Sequence, residues 1–226
     1  MNARSCVAAL AGAAFSWSAW ADRPLLSETA DAPGAGECDV EAVFERVRVP
    51  QGPAVRAWTA GGACAVGSAS ELGLTWAQAR SGSEKVRAVQ LGGKTVLGGE
   101  EDGLAYGVAY AWTMADVGDG WRHDQLSLTG LVSLALPAGW RGHANVGVQR
   151  ARGTPRHTTG WSLGIESSGA WWVAADVFGD DRSSRPSFSA GLGAALGEST
   201  RLSLVWVTSG DRPRQRSTSV GLKHSF

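Results

Sequence analysis

The stretch Gln125-Leu126-Ser127-Leu128-Thr129-Gly130-Leu131-Val132-Ser133-Leu134-Ala135-Leu136 carries the clearest structural signal in the chain. Its even positions, Leu126, Leu128, Gly130, Val132, Leu134 and Leu136, are apolar or small. Its odd positions, Gln125, Ser127, Thr129, Leu131, Ser133 and Ala135, are mostly polar or small. Side chains of an extended chain point alternately to opposite faces, so a period of two with one greasy face predicts a β-strand whose two sides meet different surroundings.

The same period recurs along the chain. Leu104, Tyr106, Val108, Tyr110 and Trp112 alternate with Ala105, Gly107, Ala109 and Ala111. Trp161, Leu163 and Ile165 alternate with Ser162, Gly164 and Glu166, and Trp171, Val173, Ala175 and Val177 alternate with Trp172, Ala174 and Asp176. Phe188, Ala190, Leu192 and Ala194 alternate with Ser187, Ser189, Gly191 and Gly193. Leu202, Leu204, Trp206 and Thr208 alternate with Ser203, Val205 and Val207. About twelve such strands are predicted, centred near residues 42, 59, 75, 88, 108, 130, 146, 163, 174, 190, 205 and 220. The third and fourth are the weakest, and Val86 to Gln90 has no clean greasy face, so ten strands stays open as an alternative.

The connections differ by parity. Odd connections fall at 50–53, 80–84, 115–124, 152–157, 179–186 and 209–214, and most are charged. Even ones, such as 137–139, 167–169 and 196–199, are short and plain. Long loops on one side and short turns on the other are the pattern of bacterial barrels, with the short turns in the periplasm. An even strand number returns the last strand to that same side.

The chain start points to export. Arg4 precedes an apolar stretch from Val7 to Ala21 that ends Ala19-Trp20-Ala21 before Asp22. A charged start, a short apolar stretch and an A-x-A site predict a cleaved signal peptide over residues 1–21. No later segment reaches the roughly 18 apolar residues of a spanning helix, so membrane crossing requires a closed barrel, which satisfies every backbone polar group. Gly is 31 of 226 residues and Trp is 11. That glycine share is about twice the usual ~7%, and it suits small residues inside and aromatic girdles outside. The net charge of +0 supplies no basic field for nucleic acid.

Alternation alone does not say which face meets lipid. A soluble sandwich or lipocalin-like barrel would turn Leu, Val and Trp inward. The chain ends Thr218-Ser219-Val220-Gly221-Leu222-Lys223-His224-Ser225-Phe226. Phe226, Leu222 and Val220 resemble the C-terminal signature of outer-membrane barrels, which implies recognition by the barrel-assembly machinery. His224 departs from the apolar residue usual at its place. The fold expected is therefore an all-β, transmembrane, antiparallel up-and-down barrel over residues 38–226, in the bacterial outer membrane.

Placing the first turn at Gln51 pairs residues whose numbers sum to 102. Cys38 then faces Cys64, Phe44 faces Trp58, and Asp39, Glu41 and Glu45 point inward opposite Ala63, Gly61 and Ala57. One register serves sulfur, aromatics and carboxylates together. It predicts a cross-strand disulfide at the periplasmic end, permitted by an oxidising compartment.

The inward faces are expected to be mostly Gly, Ala, Ser and Thr, leaving a wet interior. Its candidate lining residues are Glu41, Glu45, His143, Gln149, Glu166 and Asp176, with Asp39 a further inward charge, Arg201 and Lys223 near the periplasmic mouth, and Asn145 adding neutral polarity. Charged side chains in a pore select among solutes. Solvated interior polar residues or internal ion pairs explain the same residues without a specific site. Asp116, Asp119, His123 and Asp124 gather acids and a histidine in one loop, near Asp180 and Asp181 at the rim. Their spacing reproduces no hydrolase or EF-hand motif, and acidic loops at a lipopolysaccharide surface can bind divalent ions. No catalytic residue, metal site or cofactor is expected.

Residues 22–37 read as an extended segment able to tuck into the lumen as a plug. Arg23-Pro24-Leu25-Leu26-Ser27-Glu28-Thr29-Ala30-Asp31, followed by Gly34-Ala35-Gly36-Glu37-Cys38-Asp39-Val40-Glu41, resembles the opening of the MetA-pathway of phenol degradation family. The resemblance implies an outer-membrane barrel that passes hydrophobic or aromatic small molecules, with Glu41 as the inward acid of its first strand.

The function expected is passive passage of small-molecule solutes, with membrane lipids and lipopolysaccharide as further partners and no nucleic acid. A structural or surface-interaction barrel working through its outer loops is the alternative, and a barrel-embedded hydrolase is third.

Overall fold

In the computed structural model, residues 27–31, 34–50, 52–100, 102–154 and 156–226 are described, and the signal-peptide reading at 1–21 lies outside them. Twelve strands follow one another: β1 Cys38–Arg48, β2 Val55–Val66, β3 Ser70–Ser81, β4 Glu84–Gly99, β5 Leu104–Asp116, β6 Trp121–Leu136, β7 Trp140–Ala151, β8 Thr158–Ser167, β9 Trp171–Asp180, β10 Ser187–Ala195, β11 Thr200–Thr208 and β12 Arg216–Ser225. Each pairs antiparallel with its sequence neighbours, and β12 pairs with β1 to close the barrel. Closure leaves no open edge, so every strand's backbone groups have a ladder to join.

Each expected strand centre falls within an observed strand, and the ten-strand alternative is excluded. The loops differ more. The connection expected at 80–84 shrinks to a turn at 82–83, because β3 and β4 pair all the way to Ser81 opposite Glu84. The loop expected at 115–124 contracts to 117–120 for the same reason, with β5 paired to Trp121 through Asp116. β4 looked weak in sequence because its outward face changes character along its length. Lys85 and Arg87 lie at the loop end, and Val89 and Leu91 follow below.

The outward face is apolar. Phe44, Trp58, Leu74, Leu91, Tyr106, Trp112, Leu126, Leu128, Leu163, Leu192, Trp206 and Leu222 all project from the barrel. The buried interior holds Thr75, Gln90, Thr113, Ser133, Asn145, Ser162, Asp176, Ser189, Ser203 and Ser219. Greasy residues outside and polar ones inside invert the order of a soluble barrel and match a lipid-facing one. Some apolar side chains also turn inward, among them Val43, Val205, Trp172 and Leu131, which is 2% exposed and packs against Ala105 and Ala30.

The first hairpin adopts the register summing to 102. Cys38 pairs with Cys64, Phe44 with Trp58, and Glu41 with Gly61. Cys38 and Cys64 form a disulfide with Cα atoms 4.1 Å apart. At the same end, Cys38 and Phe226 exchange backbone hydrogen bonds of 3.0 and 2.9 Å. The first and last strand ends are thus held together twice.

Candidate functional site

A twelve-stranded barrel has an interior wider than that of an about eight-stranded one, which side chains can fill, and narrower than that of porins with about 16–18 strands. Small residues on its inner wall widen it further. At Gly164 a Cβ would stand 2.6 Å from Asp176 Oδ1 and 3.0 Å from Ser27 Oγ, so only glycine leaves room for Ser27 at that spot.

Residues 27–31 occupy this space. Ser27, Thr29 and Ala30 are 0%, 1% and 1% exposed although they belong to no strand. Irregular backbone at membrane depth is tolerated only where protein surrounds it or a cavity holds it, because its polar groups need partners. The barrel wall supplies several. The Ser27 N–H and hydroxyl donate to Asp176 Oδ1 at 3.0 and 2.6 Å. The Ala30 N–H donates to Ser133 Oγ at 2.8 Å. Asn145 Nδ2 donates to the Glu28 carbonyl at 3.1 Å.

Charges add to the grip. Lys94 Nζ lies 3.2 Å from Glu28 Oε1 and 3.9 Å from Glu71 Oε1. Arg141 meets Asp31 Oδ1 at 2.7 Å. The Lys94 and Glu28 side chains are only 6% and 11% exposed. A pair this buried contributes little net stability when whole, yet losing one partner strands the other charge at a cost of about 3–5 kcal/mol. Such pairs specify position more than they add strength.

The six candidate lining residues all face inward. His143, Glu166 and Asp176 come together around the N-terminal segment. Ser133 Oγ and His143 Nδ1 are 2.9 Å apart, His143 Nε2 approaches Glu166 Oε1 at 3.4 Å, and Asp176 Oδ2 accepts from Ser189 at 2.8 Å. Ser133, His143 and Glu166 have the composition of a hydrolytic relay. Ser133, however, is 0% exposed and already accepts the Ala30 N–H, so its oxygen is committed to holding the segment. Glu41, Glu45 and Gln149 are not drawn into this cluster. Glu41 and Glu45 stand opposite Lys223 and Ser219 of β12, and Gln149 accepts from Gln125 at 3.1 Å.

Lys94, Glu71, Arg141 and Ser133 were not among the candidates. Their parity within β3, β4, β6 and β7 was the signal that could have found them, but Lys94 and Glu71 lie on the two strands whose pattern is weakest. At the end of the lumen that holds Cys38 and Phe226, Lys223 Nζ binds Asp39 Oδ2 at 2.8 Å, and Arg201 lies over the Trp172 ring at 5.7 Å. Among the described residues no group of three or more His, Cys, Asp or Glu is arranged to hold a metal.

A family model described as "Uncharacterised conserved protein UCP029691" matches residues 9–221. No curated protein matches the chain. Among solved structures, the translocator domain of the autotransporter NalP from Neisseria meningitidis is similar at a TM-score of 0.63 and 14% identity, covering 98% of each chain. The KdgM porin in complex with disordered oligogalacturonate is similar at 0.62 and 8% identity, covering 83% of this chain and 99% of that one. The CymD monoaromatic hydrocarbon channel is similar at 0.50 and 11% identity, covering 86% and 89%. At these identities the likeness is one of fold, a barrel shared with outer-membrane porins and channels.

Proposed function

The chain belongs to the uncharacterised conserved family UCP029691, and we propose that it serves in the bacterial outer membrane as a passive channel for small molecules, with residues 27–31 as its resident plug. The observation that carries this reading is the buried course of that segment through a polar lumen, moored by Lys94, Arg141, Ser133, Asn145 and Asp176. A wall lined by Gly, Ser, Thr and paired charges suits a water-filled path once the segment moves aside.

For the solute, two likenesses point the same way. The opening residues resemble the phenol-degradation family, and the fold is similar to that of a protein titled a monoaromatic hydrocarbon channel. Together they support small aromatic molecules. The polar cross-section at His143, Asn145 and Lys94 favours those that carry hydroxyl groups. Assembly through the C-terminal Val220, Leu222 and Phe226, and export through residues 1–21, complete the proposal. The same mooring also supports a second reading, in which the barrel stays plugged and its outer loops do the work.

Single-channel recording in planar bilayers separates the two. The wild-type protein is expected to conduct rarely or in small steps. A folded Glu28→Gln/Asp31→Asn variant, which loses both ionic moorings, is expected to conduct more and for longer. A folded variant that never conducts would overturn the channel reading in favour of the plugged barrel.

A further inference from the structure

Just beyond the apolar band, at the end of the barrel opposite the chain terminus at Phe226, the outward face turns basic. Arg48 of β1 stands directly opposite Arg216 of β12. Arg46 of β1 faces Arg56 of β2, Arg56 faces Arg80 of β3, and Arg80 faces Lys85 of β4. Arg46, Arg48, Arg56, Arg80 and Arg216 are all exposed, and Lys85 is half-buried. The row therefore runs without a break across β12, β1, β2, β3 and β4.

Directly opposed side chains on neighbouring strands have Cβ atoms about 4.5–5.5 Å apart, and like charges at that distance destabilise the sheet. Within the arc, Lys85 at its edge feels the Asp116 carboxylate of β5, which leaves the arginine–arginine contacts as they are. Among the described residues, none of these six side chains has an ion-pair or hydrogen-bond partner. Arg87, one step lower on β4, differs in standing opposite the Asp116 carboxylate of β5. An unbroken arc of repelling cations calls for an external anion.

Its height identifies where that anion lies. Phe44, Trp58 and Trp76 project from the same strands below the arc, and the two tryptophan rings are 4.0 Å apart. Aromatic girdles sit at the membrane–water interface, so the arc lies in the headgroup layer. Both chain ends of a bacterial barrel with an even strand number lie on the periplasmic side, which puts the arc in the outer leaflet. The phosphates there belong to lipid A, which carries two on one molecule. Guanidinium groups bind phosphate oxygens in bidentate fashion, and neighbouring arginines can share one phosphate between them.

We propose that Arg46, Arg48, Arg56, Arg80, Lys85 and Arg216 form a binding site for the phosphorylated glycolipid of the outer leaflet. The site is independent of whether the lumen conducts. It gives the barrel an annular lipid on one flank and fixes how deep that flank sits.

The test uses the refolded protein in detergent micelles, titrated with fluorescently labelled diphosphoryl lipid A. The triple variant Arg46→Gln/Arg56→Gln/Arg80→Gln is expected to bind at least about 10-fold more weakly, since each basic residue near an anionic surface contributes about 1 kcal/mol. Arg201→Gln, at the opposite end, is expected to leave binding unchanged. Folding is checked by heat-modifiable gel mobility. If the triple variant does not fold, the pair Arg48→Gln/Arg216→Gln gives the same readout. Unchanged affinity in either folded variant would overturn the proposal. So would equally tight binding of dephosphorylated lipid A. Equal binding and equal loss with phosphatidylglycerol would overturn the glycolipid assignment and leave a site for any anionic lipid.

Discussion

At the residue scale, most of the particular behaviour of this barrel depends on a few side chains that meet across the lumen. Ser27 and Asp176 are 149 positions apart, and Glu28 and Lys94 are 66 apart. Gly164 makes their meeting possible by leaving space that any Cβ would fill. A Gly164→Leu substitution is expected to push Ser27 off Asp176 and release the segment without opening the barrel wall. Limited proteolysis should then cut near residues 27–31 in the variant and not in the wild type. Gly130→Ala is the control, since a Cβ there would meet only Val146 O at an ordinary 3.7 Å. Equal protection of the segment in Gly164→Leu would show that Ser27 is not held at that spot.

Strands and loops are governed by different forces. The strands were legible because each has one lipid-facing side and one lumen-facing side, and the membrane enforces that contrast along their length. The hairpin register was legible too, because a slip of one residue would have turned Phe44 and Trp58 inward and the carboxylates out into lipid. Loop lengths were less so, since charge marks the water-exposed rim whether or not the backbone there is still paired. At the rim, loops 181–186 and 209–215 are tied together by Asp211, whose Oδ1 accepts from the Ser184 N–H at 2.9 Å and its hydroxyl at 2.6 Å. The Ser184 hydroxyl first, then the Ser184 and Arg185 backbone N–H groups and the Arg185 charge, hold the Asp211 carboxyl below its ordinary pKa.

A lowered folded pKa means that this tie is present at neutral pH and above the unfolded value of about 3.9, and is lost as pH falls through the lower folded value. Hydrogen exchange of residues 209–215, corrected for intrinsic rates, is therefore expected to rise on acidification below about pH 4. An Asp211→Ala variant, which keeps no acceptor for the Ser184 donors, should show fast exchange at every pH. A wild-type loop with no pH dependence would mean that Asp211 does not dock it.

For the whole molecule, much of the lumen's charge gathers toward the end that holds Cys38 and Phe226. Glu71, Arg141 and Glu166 stand within two residues of that end of β3, β7 and β8, and Asp39 is paired with Lys223 there. Glu41 and Glu45 line the β1 wall farther along. Acidic side chains in a conducting path favour cations. In an unplugged barrel, Glu41→Gln/Glu45→Gln is expected to shift the reversal potential in a salt gradient toward weaker cation preference. An unchanged reversal potential would place both residues off the conducting path.

The sequence by itself determined the strand number to within one hairpin, the inward and outward faces, the first register and the disulfide between Cys38 and Cys64. These follow from local periodicity and from pairing between adjacent segments, where a short stretch of chain carries the whole signal. Only the tertiary structure decided that residues 27–31 lie buried in the lumen, and that Lys94, Arg141, Ser133 and Asp176 hold them. It alone also revealed that six basic residues from five strands align in one outward arc. Both arrangements arise when the sheet closes on itself. Closure brings together side chains whose separation in sequence has no period, and no local pattern can encode it.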